Sequence, residues 1–252
     1  MTAVLKVDCV GATFGSLRAV RDVTLQAHAG ERLIILGTNG AGKSTLFNLI
    51  AGDILPTYGS IEWRGQPIQK LSAHERTRLG ISRSYQTSRV LHGLSVADNM
   101  YLAVQGVHAG RFSWRVPGAD HPWRKKADDT LSRIGLRDVG DELASNLSHG
   151  EQRQLEIAMA LASDPYMLLL DEPAAGLSPS ERPGLVALLR GLSRDVTMIM
   201  IEHDMDVALQ VADRVLVMHE GEIMFEGTPE ETAASPLVRS LYLGSSGDVD
   251  AA

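Results

Sequence analysis

The chain has 252 residues, and its 24 basic and 31 acidic side chains give a formal net charge of −7. That acidic balance argues against a nucleic-acid surface as the main partner. Cys9 is the single cysteine, so an internal disulfide is excluded and a reducing compartment is expected. The N-terminus lacks a signal-peptide pattern, and no apolar run reaches the roughly 18 residues that a membrane span needs. These features predict a soluble cytoplasmic protein.

The first predicted elements are two β-rich segments, 4–10 and 23–28, joined by a turn from Gly11 to Ser16. Phe14 lies in that predicted turn. An aromatic side chain in a turn usually packs against its surroundings, but it could instead stack on an adenine ring, with Val20 adding an apolar contact. The local sequence leaves both interpretations open.

The stretch 37–45, Gly-Thr-Asn-Gly-Ala-Gly-Lys-Ser-Thr, fits the phosphate-loop pattern G-x-x-x-x-G-K-[ST]. An apolar strand, 33–36, precedes it, and a helical run, 46–51, follows it as far as Gly52. Glycines let backbone N–H groups converge on one anion, and the start of a helix adds a positive dipole end. The sequence therefore predicts a nucleoside triphosphate site. The residues predicted to bind the phosphates are Gly37, Asn39, Gly40, Ala41, Gly42, Lys43, Ser44 and Thr45.

Two of these side chains have distinct chemical tasks. Lys43 supplies a positive charge for the β- and γ-phosphates, and Ser44 offers a hydroxyl to Mg²⁺, which prefers hard oxygen ligands. Farther along, 59–69 predicts a hairpin, 72–79 predicts a short polar helix, and 81–86 predicts a strand that ends in Gln86. A glutamine there is either a solvated residue or a further Mg²⁺ ligand.

A helical pattern runs from 95 to 143, with Ser95 as its N-cap. It is interrupted over 106–126, which is either a solvated connection or a partner-contacting surface. Ser148 to Glu151 then forms an S-x-x-E capping box before another helix. A capped helix start is a second anion site, which one chain does not need for one γ-phosphate. A second subunit would explain the duplication, because its capped helix could close over the nucleotide held by the first.

Two apolar strands end in polar side chains. The strand 167–172 ends at Asp171 and Glu172, and the strand 196–201 is followed by His203. Ligands of α/β sheets bind beyond the carboxyl ends of the strands, so both acids are expected beside the phosphate loop if the strand 167–172 is a neighbour of the strand that precedes that loop. One acid can hold Mg²⁺ while the other orients or deprotonates water, and His203 could donate to the γ-phosphate or to that water.

Taken in order, these motifs resemble the ATPase subunits of ABC transporters over about residues 4–243. Within that family the chain is similar to the subunits that serve branched-chain amino acid importers. The residues that carry the resemblance are Phe14, 37–45, Gln86, 147–152, 167–172, 174–178 and His203, and those that carry the finer match are 170–177, 201–205 and 241–244.

The resemblance implies an α/β fold of the P-loop NTPase class, with a RecA-like core, an antiparallel β subdomain and an inserted ABC-type helical subdomain. It implies one ABC ATPase domain over 1–244, with the core at about 1–86 and 156–244, the helical subdomain at about 87–155, and a disordered tail at 245–252. It further implies a homodimer or heterodimer with two ATP molecules between the subunits, on the cytoplasmic face of the inner membrane. Separate permease chains would hold the subunits there, and no nucleic acid is expected as a partner.

Residue roles follow from the same resemblance. Phe14 would stack on adenine, while Ser44, Gln86 and Asp171 would arrange Mg²⁺. The remaining roles concern hydrolysis and closure of the dimer. Glu172 would polarise the attacking water, and His203 would contact the γ-phosphate. Ser148 and Gly150 would contact the partner's ATP.

The chain departs from the family pattern at three positions. Thr38 replaces a proline common in the phosphate loop, and His149 and Glu151 stand where the Leu-Ser-Gly-Gly-Gln signature has a glycine and its glutamine. Glu151 would bring a negative charge near the phosphates unless the capping box takes its carboxylate. The favoured function is the ATPase of an importer for branched-chain amino acids or related small solutes. The alternatives are a soluble ATPase of iron–sulfur assembly and an ATPase of lipopolysaccharide export.

Overall fold

The computed structural model describes residues 2–84, 90–108 and 121–243. The strands are β1 (Ala3–Phe14), β2 (Leu17–His28), β3 (Arg32–Gly37), β4 (Tyr58–Trp63), β5 (Gln66–Pro67), β6 (Ile81–Arg83), β7 (Met167–Asp171), β8 (Thr197–Ile201), β9 (Arg214–His219) and β10 (Glu222–Gly227). The helices are α1 (Lys43–Ala51), α2 (Ala73–Arg78), α3 (Val96–His108), α4 (Pro122–Arg133), α5 (His149–Leu161), α6 (Arg182–Gly191), α7 (Met205–Val211), α8 (Pro229–Ala234) and α9 (Pro236–Leu243). Within the described ranges, no helix has both the length and the apolar content required to cross a membrane.

A four-stranded antiparallel sheet, in the order β2-β1-β4-β5, forms one layer of the molecule. The prediction of two strands at its start is confirmed, but both strands are longer than expected. Phe14 pairs with Leu17, so the turn contains only Gly15 and Ser16, and Phe14 ends β1 instead of lying in a turn. The full length of β1 and β2 was not predicted, because the polar residues at the exposed positions of each strand interrupt its apolar pattern.

The second sheet has six strands in the order β10-β9-β3-β8-β7-β6. Strands β9, β3, β8, β7 and β6 are parallel, and β10 pairs antiparallel with β9. Strand β3 is buried along its whole length, as a continuous apolar run predicts for a strand covered on both faces. Leu33 and Ile35 pack into one core cluster, while Ile34 and Leu36 pack into the other, on the opposite face.

The strand order corrects one assumption of the sequence analysis. Strand β8 lies between β3 and β7, so the strand that ends at Asp171 is not a neighbour of the strand that leads into the phosphate loop. Both strands are parallel to β8 and end at the same edge of the sheet. The expected meeting at that edge therefore does not require the two strands to be adjacent.

Helices α3, α4 and α5 pack around a separate apolar cluster that includes Met100, Leu131 and Leu155. The predicted connection over 106–126 is shorter than expected, since α3 continues to His108 and α4 begins at Pro122. Trp123 packs at the edge of this cluster. The residues 109–120 and the tail 245–252 lie outside the described residues, and the proposed subdomain boundaries stay a prediction.

Candidate functional site

The phosphate loop is shaped by glycines in the left-handed region. Gly42, which precedes α1, has φ +93°, and a Cβ there would lie 2.3 Å from the carbonyl oxygen of Ala19. Gly37 has φ +152°, and its Cβ would lie 2.3 Å from the carbonyl oxygen of Met218. Only glycine fits positions with so little space and such a backbone conformation. Helix α1 begins at Lys43, inside the motif and earlier than predicted, and it ends before Gly52 as expected, with the Gly52 N–H capping the helix.

The side chain of Lys43 is buried at the base of this loop. Its Nζ donates to the carbonyl oxygens of Gly37, at 2.6 Å, and Thr38, at 3.0 Å. Burial lowers the pKa of the Lys43 ammonium, while the nearby carboxylates of Glu172 and Asp171 act in the opposite direction. The phosphate loop and the acids at the ends of the strands therefore share one electrostatic environment.

A groove of about 460 Å³ runs across the loop. Its lining contains every residue from Asn39 to Thr45 together with Glu172, so the structure brings together most of the predicted phosphate-binding residues. Leu17 and Arg18 of β2 also line the groove. Val20 instead lies in the core with 1% exposure, and Phe14 is half exposed at the end of β1, outside the lining. Gln86 lies outside the described residues.

Asp171 is buried at the end of β7. Its Oδ2 accepts a hydrogen bond of 2.9 Å from Nη2 of Arg83, while its Oδ1 is buried and has no hydrogen-bond partner among the described residues. A buried carboxylate oxygen without a donor suits a cation, because an unpaired buried acceptor is costly. Ser44 lies on the wall of the groove with its hydroxyl oxygen as a further hard donor. These residues fit a Mg²⁺ ion.

Glu172 follows directly after β7 with φ +46°, a left-handed conformation that is uncommon outside glycine. Its Oε2 lies 3.7 Å from Nδ1 of His203, whose side chain is half exposed. Residues held in such conformations cluster at active sites and ligand clamps. The structure thus brings Glu172 and His203 together beside the groove.

The signature segment begins α5 as a capping box. The Ser148 hydroxyl accepts from the N–H of Glu151, and the Glu151 carboxylate accepts from the N–H and the hydroxyl of Ser148, both at 2.8 Å. The predicted capping box is confirmed, and it takes the carboxylate of Glu151. Ser148 is exposed, while the N–H of Gly150 donates to Oε1 of Glu181 at 2.9 Å. Hydrogen bonds from Ser178 and Gly150 lower the pKa of Glu181 to about 2.

Sequence reasoning missed three residues of this region. Arg83 holds Asp171, and Tyr242 of α9 accepts a 2.9 Å hydrogen bond from the N–H of Gly37. Glu202 is fully buried, and its carboxylate accepts hydrogen bonds of 2.8–3.3 Å from the backbone N–H groups of Ala174, His203 and Asp204. Burial raises the pKa of Glu202, against the effect of these bonds. The finer resemblance included Tyr242 and Glu202 but gave neither a role.

A buried parallel strand, a glycine-shaped loop and a helix whose first residue is the loop lysine define a P-loop nucleotide-binding protein of the α/β class. Comparison with protein families gives the finer class: the ABC transporter model matches residues 20–175. The chain therefore belongs to the ABC transporter family, as one of its ATP-binding, ATP-hydrolysing subunits.

Individual relatives and solved structures agree with this assignment. The chain is 37% identical over 248 residues to the high-affinity branched-chain amino acid transport ATP-binding protein LivG of Escherichia coli (strain K12), covering 95% of this chain and 97% of LivG. The ADP conformation of MJ1267, an ATP-binding cassette of an ABC transporter, superposes with a TM-score of 0.87 at 27% identity, over 97% of this chain and 100% of the other. A dimeric post-hydrolysis state of the cassette MJ0796, bound to ADP and Pi, gives 0.74 at 25% identity, over 89% and 98%.

Proposed function

We propose that this protein binds and hydrolyses ATP to drive an importer of branched-chain amino acids or related small solutes. The observation that carries the proposal is the groove in which 39–45 and Glu172 meet. The likeness to LivG over 95% of the chain supports the solute class. Separate permease subunits would cross the membrane, and this chain would bind them at the cytoplasmic face.

Within the groove, the backbone N–H groups of 39–45 and the ammonium of Lys43 would hold the phosphates, and Gly37 would shape the loop from below. Ser44, Asp171 and Gln86 would hold Mg²⁺, which supplies positive charge to the β- and γ-phosphate oxygens. Phe14, half exposed beyond the groove, would stack on adenine.

Hydrolysis requires a base for the attacking water. Glu172 would accept or orient the proton of that water, and His203, 3.7 Å from it, would contact the γ-phosphate. The Glu151 carboxylate accepts hydrogen bonds from Ser148 in the capping box, and these bonds would hold its negative charge away from the phosphates.

Closure would involve a second ATPase subunit. The exposed Ser148, at the positive end of α5, would contact the ATP held by the partner, and the N–H of Gly150 would do so after exchanging its bond to Oε1 of Glu181. The dimeric state of MJ0796 supports this arrangement.

The permease contact would lie at a cavity of about 270 Å³ between the six-stranded sheet and the helices α3 and α5, lined by Arg83, Ala103 and Met159 among others.

The experiment introduces a large charged side chain at the proposed closure surface. Ser148→Arg should leave ATP binding by the isolated subunit unchanged but abolish ATP-dependent dimerisation, measured by light scattering with and without ATP. Ser132→Arg, at an exposed site on α4, is the matched control and should dimerise normally. Normal dimerisation of Ser148→Arg would refute the proposed closure.

A further inference from the structure

Arg83 lies at the end of β6 with 12% of its side chain exposed, between the phosphate-loop helix and the strand that ends at Asp171. Its Nη2 donates to Oδ2 of Asp171 at 2.9 Å, and its Nη1 donates to Oδ1 of Asn48 at 2.6 Å. Nη1 also pairs with Asp53, just beyond α1, and the guanidinium carbon lies 5.0 Å from the ring centroid of Phe47. One rigid guanidinium therefore joins two elements of the site.

The two elements are the ones that carry the proposed Mg²⁺ ligands. Asn48 is four residues after Ser44 in α1, so both side chains lie on one face of that helix, about one turn of 5.4 Å apart. Asp171 supplies the other ligand from β7. A planar fork that binds both Asn48 and Asp171 fixes the distance and the angle between the two ligand-bearing elements.

The same contact also sets the direction of the Asp171 carboxylate. With Oδ2 bound by Arg83, the torsion of the carboxylate is fixed, and Oδ1 is the oxygen that lacks a hydrogen-bond partner within the described part of the chain. A ligand held in this way does not need to be reoriented when a cation binds. Such partners of ligating side chains affect metal affinity by about 10–100-fold.

We propose that Arg83 is a positioning residue for the metal site. It orients Asp171 through Oδ2, leaves Oδ1 to the cation, and holds α1 at the spacing that lets Ser44 and Asp171 bind one ion. Nothing in the phosphate-loop motif requires this arginine, and no substrate contact is assigned to it. This inference rests on the proposed nucleotide and Mg²⁺ site.

The test measures metal affinity separately from nucleotide affinity. Mn²⁺, which shares the octahedral oxygen preference of Mg²⁺, is titrated by electron paramagnetic resonance into the full chain with saturating ADP. Arg83→Gln should weaken Mn²⁺ binding by about 10–100-fold while ADP affinity in EDTA stays within twofold. Arg83→Lys, which keeps the charge but loses the fork, should fall in between, and Arg78→Gln, at an exposed site on α2, should bind like the wild type.

A second variant keeps the inference testable if Arg83→Gln does not fold. Asn48→Ala removes the bond between Arg83 and α1 but leaves the bonds of Arg83 to Asp171 and Asp53, so it should weaken Mn²⁺ binding in the same direction by a smaller factor. Mn²⁺ affinity of Arg83→Gln or Arg83→Lys that equals or exceeds that of the wild type would overturn the positioning role. Failure of the wild type itself to bind ADP or Mn²⁺ would instead refute the proposed function, so the two failures are distinguishable.

Discussion

The hydrogen bond between α9 and the phosphate loop makes a specific prediction for Tyr242→Phe. The Tyr242 hydroxyl accepts from the N–H of Gly37 at 2.9 Å, and Gly37 is buried where β3 enters the loop. Phenylalanine keeps the ring that packs against the core and removes the hydroxyl that accepts this bond. A buried donor that loses its partner costs about 1–3 kcal/mol, so the free energy of unfolding should fall by that amount.

The loop that loses this contact also binds the phosphates, so nucleotide affinity should fall too. A loss of about 1.4 kcal/mol expressed entirely in the loop corresponds to roughly tenfold weaker ADP binding. Burial raises the pKa of Tyr242 above its usual value near 10, so the hydroxyl stays protonated at neutral pH. The stabilisation linked to this shift is complete below pH 10 and is lost as the pH rises through the raised pKa.

Urea unfolding and calorimetric titration with ADP measure the two effects of Tyr242→Phe. Tyr58→Phe is the matched control, because it removes a hydroxyl from an exposed ring on β4, in the other sheet. An unfolding free energy within about 0.5 kcal/mol of the wild type, together with unchanged ADP affinity, would refute the role assigned to the hydroxyl, since ordinary surface substitutions have effects of that size.

Two further predictions concern the groove itself. Glu172→Gln should keep ATP affinity but lower steady-state hydrolysis by about 10²–10⁴-fold, because an amide cannot take the proton of the attacking water. The variant should also trap a closed dimer. Unimpaired hydrolysis would remove Glu172 from this role. Lys43→Ala should weaken nucleotide binding by more than about tenfold, through loss of the charge that faces the phosphates; calorimetry that shows wild-type affinity would contradict it.

The features that sequence predicted correctly are those with local signals. The end of α1 at Gly52 needs only the glycine that follows the helix, and the capping box needs only Ser148 and Glu151, three residues apart. The apolar strands β3, β7 and β8 are recognisable because both of their faces are buried. Each of these elements is specified within about ten residues of chain.

The contacts that sequence did not predict join residues that are distant along the chain. Arg83 and Asp171 are separated by 88 residues, and Gly37 and Tyr242 by 205. Their pairing depends on the order of the strands, which placed β8 between β3 and β7, and on the docking of α9 against the sheet. Neither residue type carries a local signal, because arginine and tyrosine occur in many surroundings. The contacts of these two polar side chains could therefore be identified only from the folded structure.

The environments of the acids beside the groove distinguish their roles. Glu202 is fully buried and engaged by three backbone N–H groups, and Asp171 is buried with one oxygen bound to Arg83. Glu172 is partly exposed, its Oε2 lies 3.7 Å from Nδ1 of His203, and its carboxylate also interacts with the charge of Lys43. Glu202 is thus committed to the backbone, and Asp171 has one buried oxygen that suits a cation. Glu172 is the most exposed of the three acids, so its substitution is the one that we expect to separate hydrolysis from binding.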